Sequence, residues 1–159
     1  MLADSTDVIC NRVNMSNIRT ITTIYKAELE YESTNPTGNT VQIDMYSGDK
    51  KKHQSPTELL LSATAACSAV DVIQILQKKR KTINGLQVTA EGLRREEHPR
   101  HFTDIMLNFK LYSPDTSNEE LAKIVALSVD KYCSVAATVR GVANVRYASE
   151  VLEVKEETP

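Results

Sequence analysis

Tryptophan is absent and phenylalanine occurs only twice in this 159-residue chain, so its core must be filled mainly by aliphatic side chains. Basic residues are in no excess: 19 Lys and Arg stand against 21 Asp and Glu, a net charge of −2. Non-specific nucleic-acid binding needs surplus cations to neutralise phosphates, so nucleic acid is set aside as a partner. Cysteine is scarce too. Three thiols make a poor disulfide framework, which points to a reducing cytoplasm. The opening MLADSTDVIC has neither the charged start nor the apolar run of a secretory signal. Repeats and low-complexity tracts are missing. Cys67 and Cys133 lie far apart in sequence, and His98 and His101 lack spaced partners, so no metal and no cofactor is expected. A hydrophobic content of 41% still supports a real core, in one domain or in one subunit of an intertwined oligomer.

What the chain does have is one long apolar stretch, SPTELLLSATAACSAVDVIQILQKKR, from Ser55 to Arg80. Ser55, Pro56 and Glu58 read as an N-cap, a first-turn proline and a capping-box glutamate. Lys78, Lys79 and Arg80 suit the negative end of the helix dipole. Such a helix runs roughly 39 Å, the width of a small domain. Asp71 and Gln74 interrupt the apolar run, and an ionisable group is costly at mid-bilayer, so this is a core helix and no membrane partner is expected. A helix apolar round most of its circumference needs cover on several sides.

Residues 1–19, with Cys10, read as a weakly ordered leader, and 20–159 as one domain. Alternation from Ile21 to Tyr31 predicts a strand, Asn35–Asn39 a turn, and Val41, Ile43 and Met45 its hairpin partner. The basic loop Lys50-Lys51-Lys52-His53 leads into the central helix. Beyond the Asn84-Gly85 turn, Leu86, Val88 and Ala90, then Ile105, Leu107, Phe109 and Leu111, predict two more strands. Ser117 and Glu120 open a second helix with Leu121, Ile124, Val125, Ser128 and Val129 on one face. It bends near Tyr132-Cys133-Ser134 and resumes as far as Gly141, before a last strand from Val145 to Val154. The order ββ–α–ββ–α–β describes an α+β fold: two β-hairpins around a long buried central helix. One sheet covers one helix face, so a second subunit is expected on the other, as a homodimer.

Cys67 sits mid-helix among Ala63, Ala65, Ala66, Ser68 and Ala69, small residues that leave the thiol reachable. A buried cysteine is ordinarily a small hydrophobe, and mid-helix it gains nothing from its own helix's N-terminal dipole. Asp71, one turn on and on the same face, is expected to raise its pKa. A reactive Cys67 therefore needs a basic partner from elsewhere. Cys133, at the bend, is placed to resolve a sulfenic acid as a disulfide; the alternative is two unrelated core cysteines. Glu58 is a capping residue first, and at roughly 13 Å along the helix it cannot reach the Cys67 of its own chain. The run Arg94-Arg95-Glu96-Glu97-His98-Pro99-Arg100-His101 reads as a solvated loop with local ion pairs. It is also a source of the missing cation, with Arg94, Arg95 and Arg100 as candidates.

The central-helix segment, then RREEHPRHFTDI, then VDKYCSVAATV, together resemble the OsmC/Ohr family and within it the YhfA-like branch. The likeness runs in matching order from about Tyr25 to Val151. The resemblance implies an OsmC-like intertwined homodimer, with central helices sandwiched between sheets built from both chains. It also implies a thiol-dependent peroxidase acting on organic hydroperoxides, with Cys67 peroxidatic and Cys133 resolving. A dithiol or a low-molecular-weight thiol would restore the pair. Two features depart from the hydroperoxide reductases of the family. Glu32 to Thr40 contains no arginine to activate the cysteine, and the position ten residues before Cys67 is Thr57, with Glu58 one further on. The competing readings are a non-catalytic OsmC-like dimer binding a small hydrophobic or thiol-reactive ligand near Cys67, and a structural stress protein whose cysteines are merely core.

Overall fold

In a computed structural model, residues 17–152 are described; Cys10 and most of the expected leader lie outside that range. The chain divides into two compact units between Pro56 and Thr57.

The first unit is an antiparallel meander of β1 (Thr22–Ala27), β2 (Glu30–Thr34) and β3 (Thr40–Asp44), in that spatial order. The single strand expected over Ile21–Tyr31 is therefore two strands. Glu28 adopts a left-handed φ of 41° and the chain folds back, pairing Tyr25 with Tyr31, whose rings meet edge to face at 6.0 Å. The apolar alternation runs unbroken through this tight turn, and neither residue of Glu28-Leu29 is a customary turn former, so periodicity alone missed the reversal. At the other turn, the Asn35 side-chain oxygen accepts the N–H groups of Thr37 and Asn39, and Gly38 supplies a φ of 84°. Asp44 is fully buried at the end of β3 and accepts N–H groups from Tyr46, Lys52 and His53. Its carboxylate thus organises the whole basic loop before the helix.

The second unit takes in α1 (Pro56–Lys78) from its second residue onward. Its end is a Schellman cap: Lys81 N–H reaches Leu76 O at 3.0 Å, Arg80 N–H reaches Gln77 O at 2.9 Å, and Arg80 takes a φ of 60°. β4 (Gly85–Arg94) and β5 (Phe102–Tyr112) form an antiparallel hairpin, and β6 (Asn144–Leu152) lies parallel on the other edge of β5. A parallel neighbour requires a crossover. Here it consists of α2 (Asn118–Leu127), a π turn (Ser128–Tyr132) and α3 (Ser134–Val139). Ser117 caps α2 by accepting the Glu120 N–H at 3.1 Å, as its capping box predicts. The expected bend falls at the π turn and Cys133.

The core is aliphatic, as the composition requires: Ile105, Leu107 and Leu111 of β5 pack with Leu121 and Val125 of α2, joined by Phe109. α1 contributes Val72 and Leu76, which makes it a core helix despite being long and apolar enough to cross a membrane. Its cover is narrower than its composition suggests. One stripe at four-residue spacing, Thr64, Ser68, Val72 and Leu76, is buried, while Val70 is 53% exposed. Where α1 meets the hairpin, Gly92 leaves no room for a side chain: a Cβ there would lie 2.3 Å from the Phe102 ring and 3.0 Å from Leu61.

Candidate functional site

The π turn delivers Cys133 to the core. Its N–H bonds to Ser128 O at 2.8 Å, and then a ψ of 103° ends the helical path. The sulfur accepts the Ala136 N–H at 3.3 Å, so this cysteine is the N-cap of α3, a role usually given to an oxygen. Cys133 is only 2% exposed. It also approaches the Thr64 carbonyl on α1 at 4.0 Å. Thr64 lies three residues before Cys67, on the same helix face, so the two thiols come together.

Cys67 is half-buried and lies close enough to Cys133 for the second thiol to act on its proton. Burial is the main influence on its thiol and pushes the pKa up; the N–H groups of Val135 and Ser134 pull it down, and Cys133 adds to the rise. The balance is upward. One expectation is corrected here and another is completed. Asp71 is not among these influences; burial and the second thiol take its place. And although Cys67 gains nothing from its own helix end, the first amides of α3 point at it. A sequence pattern cannot show which helix start will fold against a mid-helix residue.

Hydroxyl groups fasten the surroundings. Ser128 donates to Ser68 O at 2.8 Å, Ser68 to Thr64 O at 3.0 Å, and Thr64 to Leu60 O at 2.7 Å. Thr64 and Ser68 show in the sequence as polar residues at four-residue spacing inside an apolar helix, a signal that passes as mere tolerance. Every buried side-chain nitrogen and oxygen among the described residues has a partner. Beyond Cys133, the Asp130 carboxylate receives Arg140 and the Tyr147 hydroxyl, each at 2.5 Å.

The candidate arginines are occupied within their own loop. Arg94 Nε donates to Arg100 O at 2.7 Å, Arg100 Nε to Glu96 O at 2.9 Å, and Arg95 pairs with Glu97 at 3.3 Å. Glu58 is exposed in the first turn of α1. Within one chain, then, the two cysteines are brought together and these four residues do not join them. An apolar pocket of about 190 Å³ opens on the same helix face, lined by Leu60, His101, Phe102, Ile105, Val139 and Val142. Leu60 is two turns before Cys67, and Val139 ends the helix that Cys133 caps. Among the described residues, no cluster of His, Cys, Asp and Glu could hold a metal.

A helix-borne thiol facing a second thiol, beside a sheet of β4, β5 and β6, defines a class. The family described as OsmC-like protein matches residues 48–148, and this chain belongs to it. Within the family, it is 39% identical to protein YhfA of Escherichia coli K12 over 124 residues, covering 78% of this chain and 91% of YhfA. The fold agrees with solved structures. An OsmC-like protein from Mycoplasma pneumoniae superposes with a TM-score of 0.73 at 22% identity, covering 89% of this chain and all of that one. An organic hydroperoxide resistance protein from Elizabethkingia anophelis gives 0.65 at 14% identity, covering 87% of this chain and 100% of its own. The α+β architecture of two sheets and helices is thus that of the OsmC-like family.

Proposed function

We propose that this protein is a homodimeric, cytoplasmic thiol-dependent peroxidase that reduces organic hydroperoxides through Cys67 and Cys133. The observation that carries the reading is the proximity of the two thiols, which sequence separation alone would not produce. Cys67 is the attacking group because it is half-buried, whereas Cys133 is nearly sealed. Its thiolate attacks the terminal oxygen of the hydroperoxide, the O–O bond breaks, and the alkoxide leaves as the alcohol after taking a proton. Cys67 is left as a sulfenic acid. Cys133 attacks that sulfur, water departs, and a disulfide forms. A dithiol, or two molecules of a small thiol, restores the pair by exchange and is itself oxidised to a disulfide. The apolar pocket on the same helix face supports an organic substrate over hydrogen peroxide. Residues 20–159 act as one OsmC-like domain completed by a second chain. An arginine of the 94–100 stretch, Arg95 or Arg94 ahead of Arg100, supplies the cation that supports the thiol, and Glu58 reaches a Cys67 only from the partner chain. Replacing at least one of the three arginines by Met should therefore raise the Cys67 pKa, and three null results would remove them from the mechanism.

A second reading has its own observation. The Cys67 thiol is pushed above its ordinary pKa, which suits a non-catalytic OsmC-like dimer binding a small hydrophobic or thiol-reactive ligand near Cys67. Consumption of cumene hydroperoxide by the protein with excess dihydrolipoamide separates the two. The peroxidase reading expects many turnovers, faster than with hydrogen peroxide. At most one equivalent consumed would favour binding.

A further inference from the structure

The segment that carries Cys133 has little structure of its own: a five-residue π turn, one extended residue and a six-residue helix. Elements this short do not hold their geometry unaided. Asp130 lies three residues before Cys133 and Arg140 seven after it, so their ion pair closes the segment into a loop. The other oxygen of the same carboxylate takes the Tyr147 hydroxyl at 2.5 Å. Tyr147 stands on β6 in register with Leu107 of β5, which is fully buried. One carboxylate thus ties both ends of the Cys133 segment to the sheet.

We propose that Asp130, Arg140 and Tyr147 are positioning residues for the dithiol: they hold the junction between α2 and α3 where the Cys133 sulfur faces Cys67, and so set how readily the disulfide forms. This rests on the two-cysteine reading above. A disulfide tolerates only a narrow range of Cα separations and torsions. Loosening one partner lowers the effective concentration of its thiol at the other, and the disulfide equilibrium falls with it. Burial raises the Asp130 carboxyl, but Tyr147 and Arg140 outweigh it and hold the group below its ordinary pKa, so the clamp is charged at neutral pH.

The test equilibrates the full-length reduced protein with mixtures of glutathione and glutathione disulfide. Two thiols then give up two electrons and two protons to become the Cys67–Cys133 bridge, while one glutathione disulfide becomes two glutathiones. Alkylation and peptide mapping read the bridged fraction. Tyr147→Phe, which removes one hydroxyl, is expected to lower the equilibrium constant by about three- to tenfold, the range for a charge-assisted bond at a partly exposed site. Asp130→Asn is expected to lower it further; should that variant fail to fold, Tyr147→Phe carries the test. The control is Asp115→Asn, which weakens the carboxylate accepting from Thr82 and Ser113 and should lower thermal stability without moving the redox equilibrium. An unchanged equilibrium in Tyr147→Phe, or an equal shift in Asp115→Asn, overturns the proposal. If the native protein forms no Cys67–Cys133 bridge at any glutathione ratio, the two-cysteine reading itself fails and takes this inference with it.

Discussion

At Cys67, burial and the neighbouring thiol act against two amides, and the amides lose. Replacing Cys133 with Ser removes one of the raising influences. The pKa of Cys67 should therefore fall, and its alkylation at neutral pH should quicken; a slower reaction would contradict this assignment of causes. The same shift links to stability. A thiol whose folded pKa is raised binds its proton more tightly when folded, so its contribution is fully present below the unfolded thiol pKa and is lost as pH rises through the folded one. Urea unfolding of the native protein should lose stability faster than Cys67→Ala on the alkaline side of pH 9, with the two curves parallel below it. The cysteine pair was legible because YCSV and the small-residue helix are specific marks. The amides of Ser134 and Val135 were not, since a backbone group carries no residue identity.

At the scale of elements, most of the architecture lay in periodicity and caps. Ser117 with Glu120 announced α2, and the bend at Cys133 was visible as a lapse in the helical pattern. Where the reading failed, the cause was a turn without turn residues, at Glu28-Leu29. The clamp of Asp130, Arg140 and Tyr147 was equally invisible, because it joins the crossover to β6 through residues that each read as ordinary surface. Gly92 gives the clearest element-level prediction. Gly92→Ala would drive a methyl into the buried Phe102 ring against Leu61, and overpacking of this kind costs about 1–3 kcal/mol. Chemical denaturation should show that loss; a change below about 0.5 kcal/mol would mean the hairpin and helix yield more easily than a close-packed core allows.

At the scale of the whole molecule, each unit leaves large aliphatic residues uncovered: Ile21, Ile24 and Val41 in the first, and Val70, Leu93 and Val142 in the second. Contiguous apolar surface is what interfaces cover, and a second copy of this chain is the cover proposed above. Sedimentation at micromolar concentration should find a homodimer, and a stable folded monomer would contradict that assembly. The expectation of cover came from the composition of α1; what would supply it could not come from there, because one chain's sequence does not show its contacts with another. The central claim is narrower: that the two thiols work as a pair. Its most direct test treats the reduced full-length protein with one equivalent of cumene hydroperoxide and maps the bridges by mass spectrometry. The account predicts an intrachain Cys67–Cys133 disulfide with Cys10 free, and a stable sulfenic acid on Cys67 in the Cys133→Ser variant. A bridge through Cys10, or two untouched thiols after the hydroperoxide is added, would contradict it.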